Sequence, residues 1–253
     1  MLSFSIITCT WNSEPHIAQC IASVASQTHR SIEHIFVDGG STDGTLERIK
    51  SVASNNNWVT DVRGGISSAM NRGAQMARGD VIAHLHGDDY YICDDAIESV
   101  AAEMARSNAG WLFARIVNDV DGMQVAPNWR MPNYSPARLL RGNFVAHPAV
   151  FVRRSVFLDA GGFDATLRFA MDYDLWLRLS RMSAPTYLPR ALAAFRCHEG
   201  STSTANPQAA FEEDHIVRRR YLSGPLERAE HEAIYALRRL RSYGLRKESS
   251  RAT

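Results

Sequence analysis

A chain of 253 residues is long enough for one sizeable α/β domain or two small ones. Hydrophobic residues make up 45% and charged residues 22%, which excludes a disordered or membrane-embedded composition. The formal net charge of +1 excludes the basic excess of a nucleic-acid binder.

The charge is unevenly placed. From Arg218 onward ten Lys and Arg stand against four Asp and Glu, a charge of +6 that leaves the rest at −5. Cys9, Cys20, Cys93 and Cys197 form no CxxC pair, and scattered thiols suit a reducing cytosol. The chain opens on the strand-like SFSIITCT, with no basic and then apolar leader, and no apolar run reaches a membrane span. These features predict a cytoplasmic protein.

Phe4 to Cys9 is apolar and β-branched, as in a buried parallel strand. Asn12 or Ser13 then caps a helix that starts near Glu14-Pro15 and carries Ile17, Cys20, Ile21 and Val24 at helical spacing. Ile32 to Val37 is a second strand, broken at Asp38 by the Gly-rich turn GGSTDGT, whose Thr42 or Asp43 caps the next helix. A short strand at Trp58 to Thr60 and a helix over Ile66 to Met76 follow.

Val81 to Leu85 is a strand that runs into HGDD and ends on adjacent carboxylates, Asp88 and Asp89. Two such groups repel unless something positive sits there, and hard cations take carboxylate oxygen. Taken alone, the stretch is equally a solvated turn with Asp94 or Asp95 capping the helix to Arg106. The strand–helix alternation through residue 106 predicts a parallel sheet covered on both faces. Such sheets bind ligands beyond the carboxyl ends of their strands, so the turns at Thr10 to Asn12, Asp38 to Asp43 and His86 to Asp89 should share one rim.

The second half changes character. Trp111 to Val117 and Gly122 to Val125 read as strands around a DVDG turn, and Ser135-Pro136 starts a helix. Ala149 to Val152 is a strand, and MDYDLWLRL opens a helix with Asp172 and Asp174 in its first turn. Two residues apart, these carboxylates point in different directions, so at most one faces a site and the other caps or is solvated. Tyr187-Leu188 and Leu192 to Phe195 read as two short strands before RCHEGSTST. His198 there is a structural hydrogen-bonder or a metal or phosphate contact. The tail is helical, with Leu226, Ala229, Ala233, Leu237 and Leu240 as a stripe and Arg beside it. It either packs that stripe on the domain or lies on an anionic membrane surface.

Five ordered motifs span residues 1–205: SIITCTWNSEPHIAQCIASVASQ, IFVDGGSTDGT, GISSAMNRGAQMARGDVIAHLHGDDYY, GGFDATLRFAMDYDLWLRL and FRCHEGSTS. Together they resemble the family-two glycosyltransferases of GT-A fold. The resemblance implies an α/β, Rossmann-like, mostly parallel sheet flanked by helices. It would form a 1–205 transferase domain with a nucleotide-binding half (1–106), an acceptor-binding half (107–205) and a helical extension (206–253).

It implies inverting transfer from a nucleotide-diphosphate sugar, UDP-sugar favoured, to a glycan or lipid-linked acceptor, without nucleic acid. Thr8, Thr10, Asn12 and Asp38 would lie around base and ribose. Asp89, with Asp88, would hold Mn²⁺ or Mg²⁺, and Asp172 would be the catalytic base. His198 and Ser201 would belong to the loop over the diphosphate. Arg63 stands where many relatives have an acid; it reaches the diphosphate or a charged sugar, or packs on the surface. His86 replaces the usual Asn or Asp, Met171 precedes Asp172 where an acid is common, and Ser67-Ser68 replace a Tyr-Asp pair. The competing classes are a sugar nucleotidyltransferase, which would carry a basic Gly-rich loop after the first strand, and a non-catalytic glycan-binding relative.

Overall fold

A computed structural model describes residues 1–54, 56–198 and 206–249. Among the described residues, nine strands form one sheet. Its first half is parallel: β1 (Phe4–Thr10), β2 (Ile32–Asp38), β3 (Trp58–Val59) and β4 (Val81–His84). The connections α1 (Glu14–Ala25), α2 (Thr45–Lys50) and α3 (Ile66–Met76) cover its faces. All seven β1 residues are buried, as a two-sided parallel strand requires.

The alternation of β1 sorts its side chains into two cores. Ile7 and Cys9 join Val37, Met70, Trp111 and Trp176 on one face, while Phe4 and Ile6 join Ile17, Val81, Ile97 and Phe151 on the other. α3 lies hard against β1: a Cβ built on Gly73 would stand 2.3 Å from Ile7 Cγ2.

The second half mixes directions. β8 (Val150–Arg153) pairs antiparallel with both β4 and β6 (Trp111–Val120). β6 pairs in parallel with β9 (Thr186–Cys197), and β7 (Met123–Val125) hairpins onto β6. The two short strands expected near Leu188 and Ala193 are one 12-residue strand, with the register shifting between Ala114 and Ile116 of its partner. The break in apolar pattern at Pro189-Arg190 is that irregularity, not a turn.

A two-residue strand, β5 (Tyr90–Tyr91), directly after HGDD, pairs antiparallel with β9. It fastens the acidic turn to the far edge of the sheet. Helices α4 (Ala96–Ser107), α5 (Pro136–Arg141), α6 (Arg154–Asp159) and α7 (Met171–Met182) complete the domain. Neither Asp94 nor Asp95 caps α4 through its side chain; Asp95 pairs with Arg190 at 2.6 Å and Asp94 accepts from Ser26.

The extension forms α8 (Pro207–Arg219) and α9 (Pro225–Ser249). α9 meets α8 through rings: His215 stacks on Tyr235 at 3.7 Å and on His231 at 5.2 Å. Glu230 and Arg238 tie it to Arg141 of α5. The Leu/Ala stripe is therefore not the packing face. Leu226, Leu237 and Leu240 are 86%, 59% and 69% exposed, while His231 is 5% exposed. The 3/4 spacing locates an apolar face correctly, but the inward face is built from the rings of His231 and Tyr235, which hydropathy does not flag.

Candidate active site

β1 and β2 end in register, Thr10 beside Asp38. The HGDD turn closes against the same strand end, with Gly87 N–H donating to Cys9 O at 3.2 Å. The three expected turns thus share one rim.

Asp38 is fully buried and organises this rim. Its carboxylate accepts from Gly40 N–H and Ser41 N–H at 2.8 Å, and from the Ser41, Thr10 and Thr60 hydroxyls at 2.5, 3.0 and 3.1 Å. Burial raises its proton affinity, but the Ser41 and Gly40 bonds outweigh that and hold its carboxyl below the usual range. Both oxygens of Asp38, the residue expected near base and ribose, accept from its own turn and from Thr10 and Thr60. Asn12, in left-handed backbone at φ 49°, braces the same turn by accepting from Thr42 N–H at 2.9 Å. Asp43 accepts from Thr45 N–H and Glu14 N–H and so organises the turn, while the N-cap position of α2 falls to Gly44 rather than Thr42 or Asp43. Thr8 does not reach the rim: its buried hydroxyl meets His34 at 2.8 Å. Arg63 lies out on the surface, paired with Asp61 and close to Gly40, at the Asp38 end of the rim.

A cleft of about 410 Å³ opens beside this rim, lined by Asp88, Asp89, Asp172, His86, His147 and Trp129 among others. Asp89 is 2% exposed and accepts from Arg196 N–H at 3.1 Å. Burial first, and then the charge of Asp88, push its carboxyl well above the usual range against the pull of Arg196. Asp88 Oδ2 lies 2.9 Å from His198 Nε2. Arg196 secures the pair further: its guanidinium donates to Asp88 O at 3.0 Å and pairs with Asp119 at 3.0 Å. The motif FRCHEG contains this arginine, yet a strand-end Arg carries no sequence signal for such a role. Ser201 lies outside the described residues.

These two carboxylates suit a hard divalent cation. Among the described residues, one oxygen on each has no hydrogen-bond donor, and a cation there would offset the burial and mutual repulsion of the pair. Among the described residues they do not form a cage of three or more ligating side chains. A cation held by one or two carboxylates completes its shell with phosphate and water, so the pair matches that class of site.

Asp172 enters the cleft from the first turn of α7. Its Oδ1 accepts from Tyr173 N–H at 2.6 Å and its Oδ2 from Asn143 Nδ2 at 3.4 Å. Burial, and next the charge of Asp214 on α8, push its carboxyl up to about 7. Asp214 itself is raised to about 6, chiefly by burial. Asp174 neither caps nor meets solvent. It is 3% exposed and accepts from Arg178 at 2.9 Å and Tyr221 at 2.8 Å, with Arg220 at 3.3 Å. Two residues apart on a helix the carboxylates do diverge, and the inward one is stabilised by cations contributed from α7 itself and from the end of α8.

His86 stacks on His147 at 4.8 Å with rings 11° apart. Burial lowers the proton affinity of both, against the pull of Asp88 on His86. His86 Nδ1 and His147 Nε2 are buried and unpartnered among the described residues.

The family model Glycosyl transferase family 2 matches residues 5–160. Chondroitin synthase of Pasteurella multocida is 31% identical over 208 residues, covering 80% of this chain and 21% of its own length. Hyaluronan synthase of Pasteurella multocida is 31% identical over 205 residues, covering 79% and 21%. A PGL/p-HBAD biosynthesis glycosyltransferase of Mycobacterium tuberculosis is 32% identical over 180 residues, covering 69% and 68%. The chain thus spans about a fifth of the two synthases it matches.

In fold it is similar to S. aureus TarS 1–349 in complex with UDP-GlcNAc, with a TM-score of 0.72 at 23% identity over 93% of this chain and 71% of that one. It is also similar to a mannosyltransferase from Pyrobaculum calidifontis in complex with GDP-Man and Mn²⁺, with a TM-score of 0.69 at 16% identity over 92% and 70%. By its matching family model, its motif order and its GT-A fold, the chain belongs to glycosyltransferase family 2.

Proposed function

We propose that the protein is a metal-dependent inverting transferase. It moves a sugar from a nucleoside-diphosphate donor, a UDP-sugar favoured, to a hydroxyl of a glycan or lipid-linked acceptor in polysaccharide assembly. The observation that carries this reading is the meeting of Asp88, Asp89 and Asp172 in one cleft beside the Asp38 rim. The polysaccharide synthases among its relatives, and the UDP-GlcNAc and the GDP-Man with Mn²⁺ held by its structural neighbours, support the same class.

In this reading Thr10, Asn12 and Asp38 shape the turn against which base and ribose lie. Asp89 and Asp88 hold Mn²⁺ or Mg²⁺, which when bound offsets the charge of the departing diphosphate. Asp172 takes the proton of the acceptor hydroxyl as its oxygen attacks the anomeric carbon from the side opposite the leaving group. A base near neutrality matches that task better than an ordinary carboxylate. His198 steadies Asp88 from the β9 end. Trp129, 40% exposed, offers a ring face to the sugar. Arg63 faces solvent at the base end, so it serves the nucleotide rim rather than the diphosphate. The exposed Leu stripe of α9 supports peripheral contact with a lipid surface, where lipid-linked acceptors lie.

The test is a panel of UDP-, GDP- and dTDP-sugars with Mn²⁺ and an acceptor extract, with products read by mass spectrometry. Addition of one sugar mass with release of nucleoside diphosphate is expected. Formation of a nucleotide sugar from nucleoside triphosphate and sugar phosphate, or no turnover of any donor, would overturn it.

A further inference from the structure

α7 begins without a cap of its own. Ala170 occupies the N-cap position and has no side-chain oxygen to receive the orphan N–H groups there. A single carboxylate from α8 instead holds the backbone that leads into the helix. Glu213 accepts from Arg168 N–H at 3.0 and 3.1 Å, from Phe169 N–H at 2.5 Å and from Ala170 N–H at 2.7 Å. Three successive backbone donors converge on one side chain, which fixes the path of the chain in all three dimensions. The clamped stretch is also a wall of the cleft: Arg168, Phe169, Met171 and Asp172 all line it.

The clamp is itself anchored. Buried Arg218, one helical turn beyond Asp214, donates to Asp214 O at 3.2 Å and to Arg141 O at 3.2 Å. Arg238 of α9 donates to the same Arg141 carbonyl at 3.1 Å. α8 is thus held to α5 on one side and grips the entry of α7 on the other.

We propose that Glu213 is a positioning residue for transfer: its grip on the 168–170 backbone holds Asp172 and the adjoining cleft wall in the arrangement that the reaction uses. This rests on the reading of Asp172 as the base. It makes the C-terminal extension a working part of the site rather than an appendage. The carboxylate does not touch substrate. It acts through the backbone, and its loss frees the 168–170 segment that leads into α7, so that the base samples many positions instead of one. Misplacement by about 1 Å costs a transfer reaction on the order of 100-fold.

The experiment compares Glu213→Gln, Glu213→Asp and Asp172→Asn in the full chain, at a temperature well below each variant's melting point. Glu213→Gln keeps the shape but replaces one acceptor oxygen with a donor that faces backbone N–H. It should lower kcat about 10- to 100-fold with the KM for donor changed by less than about 2-fold. Glu213→Asp, which retains the carboxylate on a shorter stem, should recover part of that loss. In the Asp172→Asn background, Glu213→Gln should cost nothing further, because there is no base left to position. A wild-type kcat for Glu213→Gln beside an inactive Asp172→Asn overturns the proposal while leaving the base assignment intact. An active Asp172→Asn overturns the base assignment itself. If Glu213→Gln does not fold, Glu213→Asp decides alone: an unchanged kcat overturns the proposal, and a reduced kcat with unchanged KM supports it.

Discussion

His198 Nε2 lies 2.9 Å from Asp88 Oδ2, joining two motifs 110 residues apart in the chain. The contact closes a loop of structure: β5 pairs with β9 on one side of the acidic turn, and His198 grips the turn just beyond the end of β9. His198→Ala removes the partner that orients Asp88. It should raise the Mn²⁺ concentration for half-maximal activity about 10-fold, a typical penalty for losing a group that orients a ligand. Metal titration of initial rates checks this.

With Asp172 as the proposed base, transfer has a pH dependence whose sign is fixed. Burial and the neighbouring Asp214 place its carboxyl at about 7, so it is protonated and idle as a base below that pH. The ratio kcat/KM should rise with pH through about 7 and then level. Asp214→Asn removes the second cause and should move the midpoint to lower pH. A pH–rate profile of each protein measures both.

The same shift affects stability in the opposite sense from activity. The folded carboxyl binds its proton more tightly than the unfolded one, whose value is 3.8. Below that value no penalty exists; it grows as pH rises, and is complete above about 7. Asp172→Asn should therefore melt higher than the wild type at pH 8 by about 1–2 kcal/mol, discounted for partial solvent access, while the two should converge at pH 4. Thermal melts at both values provide the comparison.

Much of the first half is legible from sequence because its signals are local. β-branched runs mark β1 and β2, and polar turns follow them, so the shared rim follows from the parallel-sheet rule alone. What is not legible depends on partners distant in sequence. Tyr90-Tyr91 is too short to register as a strand until β9 lies beside it. Asp174 reads as a cap because Arg220 and Tyr221, which hold it, come more than 40 residues later. Glu213 is one acid among several on a polar helix, and only the folded chain reveals its three donors. Asp38 reads as a ligand because strand-end carboxylates often are; that its own turn occupies both oxygens is a matter of atomic geometry.

The close approach of α3 to β1 gives a packing prediction. Gly73→Ala would put a methyl 2.3 Å from Ile7 Cγ2 and 3.2 Å from Val37 Cγ2. Overpacking of this kind costs about 1–3 kcal/mol, so the melting temperature should fall clearly.

The α9 stripe makes the reverse prediction. Leu237 and Leu240 are exposed, so replacing both with Ser should leave stability within about 0.5 kcal/mol. If α9 meets lipid, the same pair of changes should reduce co-sedimentation with phosphatidylglycerol vesicles several-fold. Unchanged sedimentation would remove the membrane role.

In the proposed mechanism Asp88 and Asp89 hold a cation that transfer requires. The direct measurement is sugar transfer by the wild type and by Asp89→Asn, each stripped with EDTA and then titrated with Mn²⁺. Stripped wild type should be inactive and recover with Mn²⁺, while Asp89→Asn should stay inactive at concentrations that saturate the wild type. Full transfer by stripped wild type, or an Asp89→Asn protein with wild-type activity and metal response, would contradict it.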